Sequence, residues 1–416
     1  MYSNILLVMN IILWLLSFVL YFRKRHYIGV AGFVLLQFVC YSFFSFFLFN
    51  DDFWGLPFHD LKLFPFIYLY CMVLISIYPL MKWDRLDVRI IGPNKSQLLS
   101  YISWFFIICT FLRVPSEAPN LWQGMVNMVL DADAGHDVYL STMENSQSNL
   151  GDGRISNIFA IFSNLLFDFG VLLLFYNLQK NNYNKLTAIG LGISCLISTI
   201  LPITISQRGP VLEHVLVIII VYIAFSKNLS DKINNLIKKI FLVLISIISI
   251  PLFVITVSRF NDRGVLGSLF NYFGQQNLYF NMYAFDNNGI RYGDRVFPIF
   301  KRFLGFDNVP SNFWERRFKY PKLNINDEVF IGYVGDFLLD FGPIIPVVIF
   351  IIYSFITSNQ LKIRHGRIHL FQLLPLMFLM HMVVYGSLFL FPFADAGNYT
   401  IIVYILMYCL FKSLNI

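Results

Sequence analysis

The sequence predicts an all-α fold, a polytopic bundle of about eleven transmembrane helices with a large outer loop that contains short helices. Of its 416 residues, 57% are hydrophobic and only 13% are charged, and the mean hydropathy is +0.65. A soluble domain carries roughly twice that charged fraction. The apolar residues fall into blocks long enough to cross a bilayer, without the alternation of membrane-barrel strands. Since a bilayer admits only helices or closed barrels, these blocks predict helices.

The apolar blocks define the spans in chain order, and they make residues 1–416 a single integral membrane domain. No basic segment precedes the first block, so we expect it to remain in the membrane as a signal anchor. The spans are expected at 4–22, 27–49, 63–81, 98–113, 155–178, 188–206, 210–226, 239–258, 329–356, 369–390 and 399–412.

Basic residues are concentrated in alternate connections between the blocks, as in the run Arg23, Lys24 and Arg25. These connections all fall on one side of the membrane, which the positive-inside rule assigns to the cytoplasm. The amino terminus is then outside and the carboxyl terminus inside. Nucleic acid is not expected as a partner, because the basic residues are scattered over membrane loops.

Two long loops are predicted on the outer side, at 114–154 and 259–328. Loops of this length are usually functional. The second is rich in arginine and lysine, and a cationic outer loop favours an anionic ligand, although a solvated structural loop would also fit. Within it, residues 265–285 predict an aromatic helix that lies at the membrane interface.

Arg208 lies in a tight outer turn, Ser206 to Pro210, between two predicted spans. Pro210 suits the first position of the next helix, so the guanidinium is placed beside a helix amino terminus. Both features favour an anion such as a diphosphate. The alternative is an arginine that reaches towards the lipid headgroups.

Two arginine pairs with a spacing of four follow in the basic loop, Arg259 with Arg263 and Arg291 with Arg295. On a helix this spacing puts both members of a pair on one face, where they could clamp a diphosphate. They could equally form structural ion pairs with the neighbouring Asp262 and Asp294.

Several ionisable residues fall inside the predicted spans, where they are costly and suggest function. Asp336 and Asp340 stand four apart and would repel each other unless a cation or proton intervenes. Asp327 and Glu328, at the outer surface, are the best-placed candidates for a general base. The remaining intramembrane candidates are Asp168, Glu213, His214 and His381. His214 could point into the same pocket as Arg208.

The sequence contains no phosphate-binding glycine loop, dinucleotide fingerprint, HExxH or GxSxG motif, so we expect neither ATP-driven nor nicotinamide-driven chemistry. All five cysteines fall inside apolar blocks, which argues against disulfides and thiolate metal sites. No metal and no cofactor are expected.

Three features of the chain resemble the Wzy-type polymerases of bacterial oligosaccharide repeat units, which are relatives of the O-antigen ligases. The first is the Gln207-Arg208-Gly209 turn before an apolar helix. The second is the basic outer loop that opens with Arg259 and carries the aromatic segment 270–285. The third is the run from Asn326 to Gly332, which leads into Asp336 and the Asp340-Phe341-Gly342 sequence.

This resemblance implies a glycosyltransferase at the outer face of the bacterial cytoplasmic (inner) membrane. Its substrates would be undecaprenyl-diphosphate-linked oligosaccharides, and its partners a chain-length regulator and a flippase. Arg208 and Arg259, with Asp327 or Glu328 as base, would form the catalytic group. Arg263, Arg291, Arg295 and His214 would bind substrate. The 259–328 loop lacks the histidine that the related ligases use, which favours a polymerase.

Two other functions remain as alternatives. A transporter or flippase would explain Asp168, Asp336, Asp340 and His381 as an ion or substrate path, although it does not explain the long basic loop. An O-antigen ligase would use the same chemistry on a different acceptor.

Overall fold

The chain is mostly helical in the computed structural model. The model describes residues 2–51, 60–93, 96–130, 155–179, 183–202, 209–243, 246, 264–325 and 329–416. Contacts within the chain divide it into two compact units. The first comprises Met1–Asp87 and Leu266–Ile416, and the second Val88–Val265.

The first unit contains ten helices among the described residues. They are α1 (Tyr2–Arg25), α2 (Val30–Phe49), α3 (Leu63–Trp83), α10 (Gly264–Tyr279), α11 (Pro298–Phe303), α12 (Phe313–Lys319), α13 (Gly332–Phe341), α14 (Ile345–Gln360), α15 (Leu370–Tyr385) and α16 (Asn398–Ser413). A π-helical turn, Phe280–Ala284, extends α10, the turn Asp395–Gly397 precedes α16, and Arg367–Ile368 is a short strand.

The second unit is helical as well. Its described helices are α4 (Gln97–Leu130), α5 (Ile155–Leu165), α6 (Phe167–Leu178), α7 (Lys185–Ile200), α8 (Gly209–Phe225) and α9 (231–243). The turn Ser226–Asn228 follows α8, and Ile90–Ile91 is a two-residue strand.

Five helices among the described residues are long and apolar enough to cross a membrane: Tyr2–Arg25, Val30–Phe49, Leu63–Trp83, Gln97–Pro115 and Gly209–Asn228. A sixth candidate is the pair Ile158–Leu165 and Phe167–Leu178, which is bent by 55°. Their lengths meet the requirement of about twenty residues for a span. The prediction of a mostly helical chain with several helices able to span a membrane is confirmed at this level.

Two predicted spans are broken where the sequence suggested one helix. The 155–178 segment bends at Leu166, between α5 and α6. The 329–356 segment divides into α13 and α14 at Gly342, whose φ of +73° is a conformation that only glycine adopts easily. Pro343 follows directly and cannot donate a helical hydrogen bond, so the first helix ends there.

Other boundaries also differ from the prediction. Helix α4 continues to Leu130 instead of ending near 113, so its last part occupies the start of the predicted 114–154 loop. Of the predicted 239–258 span, the structure describes residues 239–243, which are helical and belong to α9, and residue 246. The helix predicted at 265–285 is present as α10 and its π-helical extension.

Asp84, the residue that follows helix α3, organises the helices of the first unit. Its carboxylate is buried and accepts hydrogen bonds from the amides of Val30 and Ala31 at 3.0 and 2.9 Å. It also accepts one from the Tyr21 hydroxyl at 2.7 Å. A carboxylate satisfies the free amides at a helix amino terminus. Asp84 therefore ties the start of α2 to the ends of α1 and α3.

Candidate functional site

Arg291 joins the two aspartates of helix α13. Its Nε donates to Asp340 Oδ1 at 2.7 Å, and its Nη2 lies 3.5 Å from Asp336 Oδ1. All three side chains are at most 3% exposed. The guanidinium is therefore the cation that allows the two carboxylates, four residues apart on one helix face, to lie together.

The Asp340 carboxylate is satisfied on both oxygens. Its Oδ2 accepts from the backbone amides of Arg295 and Val296, at 3.0 and 2.7 Å. Asp336 Oδ2 accepts from the amide of Phe391 at 3.0 Å. A buried charge is tolerated when it is paired and hydrogen-bonded in this way. These contacts make the pair of aspartates a structural centre, and they argue against an open ion path through α13.

Asp395 forms ion pairs with two arginines. Arg295 donates to its Oδ2 through Nη1, and Arg316 Nη1 lies 2.5 Å from its Oδ1. Arg295 Nε also lies 3.8 Å from Asp336. The network therefore links the 291–296 turn and α12 to α13 and to the turn before α16. Arg291 and Arg295 thus pair with Asp336, Asp340 and Asp395, whereas the neighbouring Asp294 that the sequence suggested pairs with two lysines.

Asp294 has its own group of donors. Lys301 and Lys319 pair with its two oxygens, and the Tyr320 hydroxyl donates to Oδ2 at 2.7 Å. Burial alone would raise the pKa of Asp294. Hydrogen bonds from Lys301, Lys319 and Tyr320 outweigh it and hold that pKa below its usual value of 3.8. Burial, followed by the contact with Asp294, raises the pKa of Tyr320, so this phenol remains a donor.

A cleft opens beside this network. It is lined by three guanidinium groups, two aromatic rings and two aliphatic side chains, which belong to Arg291, Arg316, Arg317, Phe313, Tyr320, Leu323 and Ile325. Its enclosed volume is only about 10 Å³, so the cleft is a shallow depression and not a preformed ligand cavity. Arginines recognise anionic groups such as phosphates through paired donors.

Five of the predicted site residues lie outside the described residues: Arg208, Arg259, Arg263, Asp327 and Glu328. Their roles stay predictions. Arg291 and Arg295 lie in the network, and only Arg291 lines the cleft. His214 lies in the second unit, where its Nδ1 is 3.0 Å from the Ser198 carbonyl oxygen and its ring stacks on Phe167 at 3.8 Å. These contacts fit a packed structural histidine.

The sequence reasoning missed most of the cleft. In the sequence, Arg316 and Arg317 are two of many basic residues in the outer loop, and no local motif singles out Asp395, Phe313 or Tyr320. A signal was present in the Phe-Trp-Glu-Arg-Arg-Phe-Lys-Tyr segment, where aromatic and basic residues alternate over 313–320. Such a mixture is typical of surfaces that bind anionic ligands with a flat face.

Within the described part of the chain, no cluster of three or more histidine, cysteine, aspartate or glutamate side chains could hold a metal ion. Comparison with protein-family models, with curated proteins and with solved structures finds no match to this chain.

Proposed function

We propose that this chain is a glycosyltransferase that polymerises lipid-linked oligosaccharide repeat units. It would transfer a growing glycan from undecaprenyl diphosphate to the sugar of a new undecaprenyl-diphosphate-linked unit. The reaction would take place at the outer face of the bacterial cytoplasmic membrane. The proposal extends the resemblance of the 200–345 segment to the Wzy-type polymerases.

One observation carries most weight in favour of this function. The cleft that Arg291, Arg316 and Arg317 line also carries the rings of Phe313 and Tyr320. Guanidinium groups bind phosphate oxygens, and aromatic rings offer flat surfaces to sugars and lipids. Substrates that combine an anionic diphosphate with a glycan need both kinds of contact. A compact ion transporter would need neither.

The reaction needs little from the protein beyond positioning and charge. A bond forms between the acceptor hydroxyl oxygen and the anomeric carbon, while the bond from that carbon to the diphosphate oxygen breaks. The hydroxyl proton passes to a base, for which Asp327 or Glu328 is our candidate. The negative charge on the leaving diphosphate would be stabilised by Arg208 and Arg259. Arg263, Arg291 and Arg295 would contribute to substrate binding.

The proposal includes a specific topology. It requires eleven spans, an outer amino terminus and the 259–328 loop on the outer side. Six of the spans correspond to the candidate membrane helices described above, counting the bent pair as one. The others would include the shorter apolar helices Lys185–Ile200, Ile345–Gln360 and Leu370–Tyr385.

The test is the glycan profile of cells that lack the chain, separated on a gel beside the complemented strain. A polymerase predicts loss of the long-chain ladder while a single repeat unit remains attached to its lipid. Lipid-linked polymer that accumulates outside would indicate a ligase instead. Single units trapped inside would indicate a flippase, and an unchanged ladder would refute the whole assignment.

Complementation with two variants tests whether the cleft takes part. Arg317→Ala removes an exposed arginine of the cleft lining and should shorten or abolish the ladder. Lys322→Ala removes the same charge from an exposed residue outside the cleft lining and should leave the ladder normal. Equal ladders in both variants, at equal protein levels, would exclude the cleft from the reaction.

A further inference from the structure

Five large apolar side chains project into solvent from one short part of the basic loop. Phe303, Leu304 and Phe306 are 69, 77 and 56% exposed, and Trp314 and Phe318 are 58 and 81% exposed. All five lie within a segment of sixteen residues, 303–318. Contiguous exposed apolar groups normally mark a surface that another phase or molecule covers. We call these five residues the aromatic surface.

The first three residues are held in position by the end of helix α11. Gly305, with φ +83°, donates its amide to the Arg302 carbonyl at 3.0 Å, and the Phe306 amide reaches the Lys301 carbonyl at 3.1 Å. This pair of bonds is a Schellman cap, which fixes the chain after a helix. The Lys301 ammonium lies 5.5 Å from the centre of the Phe306 ring. The turn that carries Phe303, Leu304 and Phe306, which we call the tip, is therefore held by hydrogen bonds, and the positions of its apolar side chains are fixed.

Helix α12 presents the other two residues because its opposite face is anchored. Arg316 is buried and pairs with Asp395, and Tyr320, just after the helix, donates to Asp294. Trp314 and Phe318, four residues apart, share the face that this anchoring leaves outside. The side chain of Asn312 accepts from the Glu315 amide at 2.9 Å and caps the helix. The exposed face of α12 is therefore also fixed in position.

The two parts lie side by side. Asp294 receives Lys301 from α11 and Lys319 from α12. Arg302 donates to the Pro310 carbonyl at 2.6 Å, which fastens the connection between the helices to α11. The tip and the outer face of α12 therefore form one surface on a common base.

The residue types of the aromatic surface indicate its partner. Three of the five basic residues in 300–319 are paired with Asp294 or Asp395, and the exposed charged residues are Arg302, Arg317, Asp307 and Glu315. Tryptophan and phenylalanine mixed with arginine and lysine are typical of segments that rest at the headgroup level of a bilayer. The chain also carries helices that can cross a membrane, so a bilayer is always within reach.

We propose that the aromatic surface docks on the headgroup layer of the membrane in which the chain itself is embedded. Phe303, Leu304, Phe306, Trp314 and Phe318 enter the boundary between headgroups and acyl chains, while Arg302 contacts lipid phosphates. Docking of this kind holds the neighbouring cleft in the plane where lipid-linked phosphates lie. It goes beyond the proposed glycosyl transfer and does not depend on it.

The experiment measures the fluorescence of Trp314 in the full-length protein. Protein is reconstituted into phosphatidylcholine vesicles with about one third anionic phosphatidylglycerol, with and without bromine on the upper acyl chain. Subtracting the spectrum of the Trp314→Phe variant isolates Trp314. We expect its emission to be at least halved by the brominated lipids and to be insensitive to aqueous iodide.

Variants at a neighbouring position sharpen the test. Phe318→Glu puts a negative charge on the surface and should restore most of the Trp314 emission, whereas Phe318→Leu keeps it apolar and should leave the quenching as in the parent. Trp314 emission that iodide quenches and brominated lipid does not would overturn the proposal. So would protection from both quenchers together with self-association in detergent, because a second copy would then cover the surface.

Discussion

At the scale of single residues, Asp340 controls the stability of the loop that carries the cleft. It accepts from Arg291 and from two backbone amides, and its side chain is completely buried. Asp340→Ala leaves the guanidinium of Arg291 buried beside an empty site. Removing one member of a buried pair costs about 3–5 kcal/mol. We expect a clear loss of thermal stability in detergent, whereas Asp307→Ala, at an exposed position of the same loop, should change little.

A second prediction at this scale concerns acid. The pKa of Asp294 is lower in the folded protein than its usual value of 3.8, so its ion pairs stabilise the fold fully above that value. The contribution is lost as pH falls through the lower, folded pKa. Asp294→Asn should therefore be less stable than the parent at neutral pH, and the two should converge below about pH 4. Melting temperatures measured over a pH series would decide; a constant gap down to the lowest pH would contradict this account.

Substitutions of Arg208 test whether the predicted catalytic arginine acts through paired hydrogen bonds or through its charge alone. A guanidinium holds a diphosphate through paired hydrogen bonds, which an ammonium cannot reproduce. Arg208→Ala should leave the protein inserted and abolish long-chain glycan, and Arg208→Lys should fail as well. Full rescue by lysine would mean that charge alone suffices. A normal ladder in Arg208→Ala, with Arg259→Ala as a companion, would remove both residues from the site.

The network also shows the limit of reasoning from residue spacing. The spacing of Arg291 and Arg295 marked them as a pair, and the repulsion between Asp336 and Asp340 required a cation nearby. Each statement agrees with the structure, but the sequence does not indicate that these arginines supply that cation, because the arginines and aspartates lie about forty-five positions apart in the chain. Local patterns favoured Asp294 as the partner. Tertiary packing, which a single sequence does not display, brought α13 and the turn before α16 to these arginines instead.

At the scale of elements, Gly274 sets how closely α10 approaches α2. A Cβ at this position would lie 2.7 Å from the Phe44 carbonyl oxygen, a backbone atom that cannot turn away. The Ser45 hydroxyl donates to the Gly274 carbonyl at 2.8 Å across the same contact. Gly274→Ala should push the helices apart and lower the melting temperature. Gly192→Ala is the control: it also lies inside a helix, but its Cβ meets nothing within 4 Å.

The same scale shows which helices the sequence could predict. Long uniform apolar blocks gave α1, α2 and α3 with ends correct to a few residues. Hydropathy averaged over a window does not register a break, so the bends at Leu166 and Gly342 were missed. The Gly342-Pro343 pair was visible and would have indicated the second break. The extension of α4 to Leu130 had no apolar signal, because the block ends before it.

At the scale of the whole molecule, composition was sufficient for the class of protein and insufficient for its arrangement. The low charged fraction and the long apolar blocks predicted helices able to cross a membrane, and five or six are confirmed among the described residues. The division into two compact units could not be predicted. The first unit joins residues 1–87 to residues beyond 265, and no local pattern records a contact between segments so distant in the chain.

The orientation in the membrane is the last prediction, and it bears on the function as a whole. Asn308 lies in the outer loop and Lys362 in a connection predicted to be cytoplasmic, and both are exposed. After the exposed cysteines Cys40, Cys71 and Cys409 are replaced by serine, each position is changed to cysteine in turn. An impermeant maleimide should label Asn308→Cys in intact cells and Lys362→Cys only after lysis. The reverse pattern would put the cleft in the cytoplasm, away from the flipped lipid-linked units that a polymerase of the outer face must use, and the proposed reaction would then be excluded whatever the chemistry of the arginines.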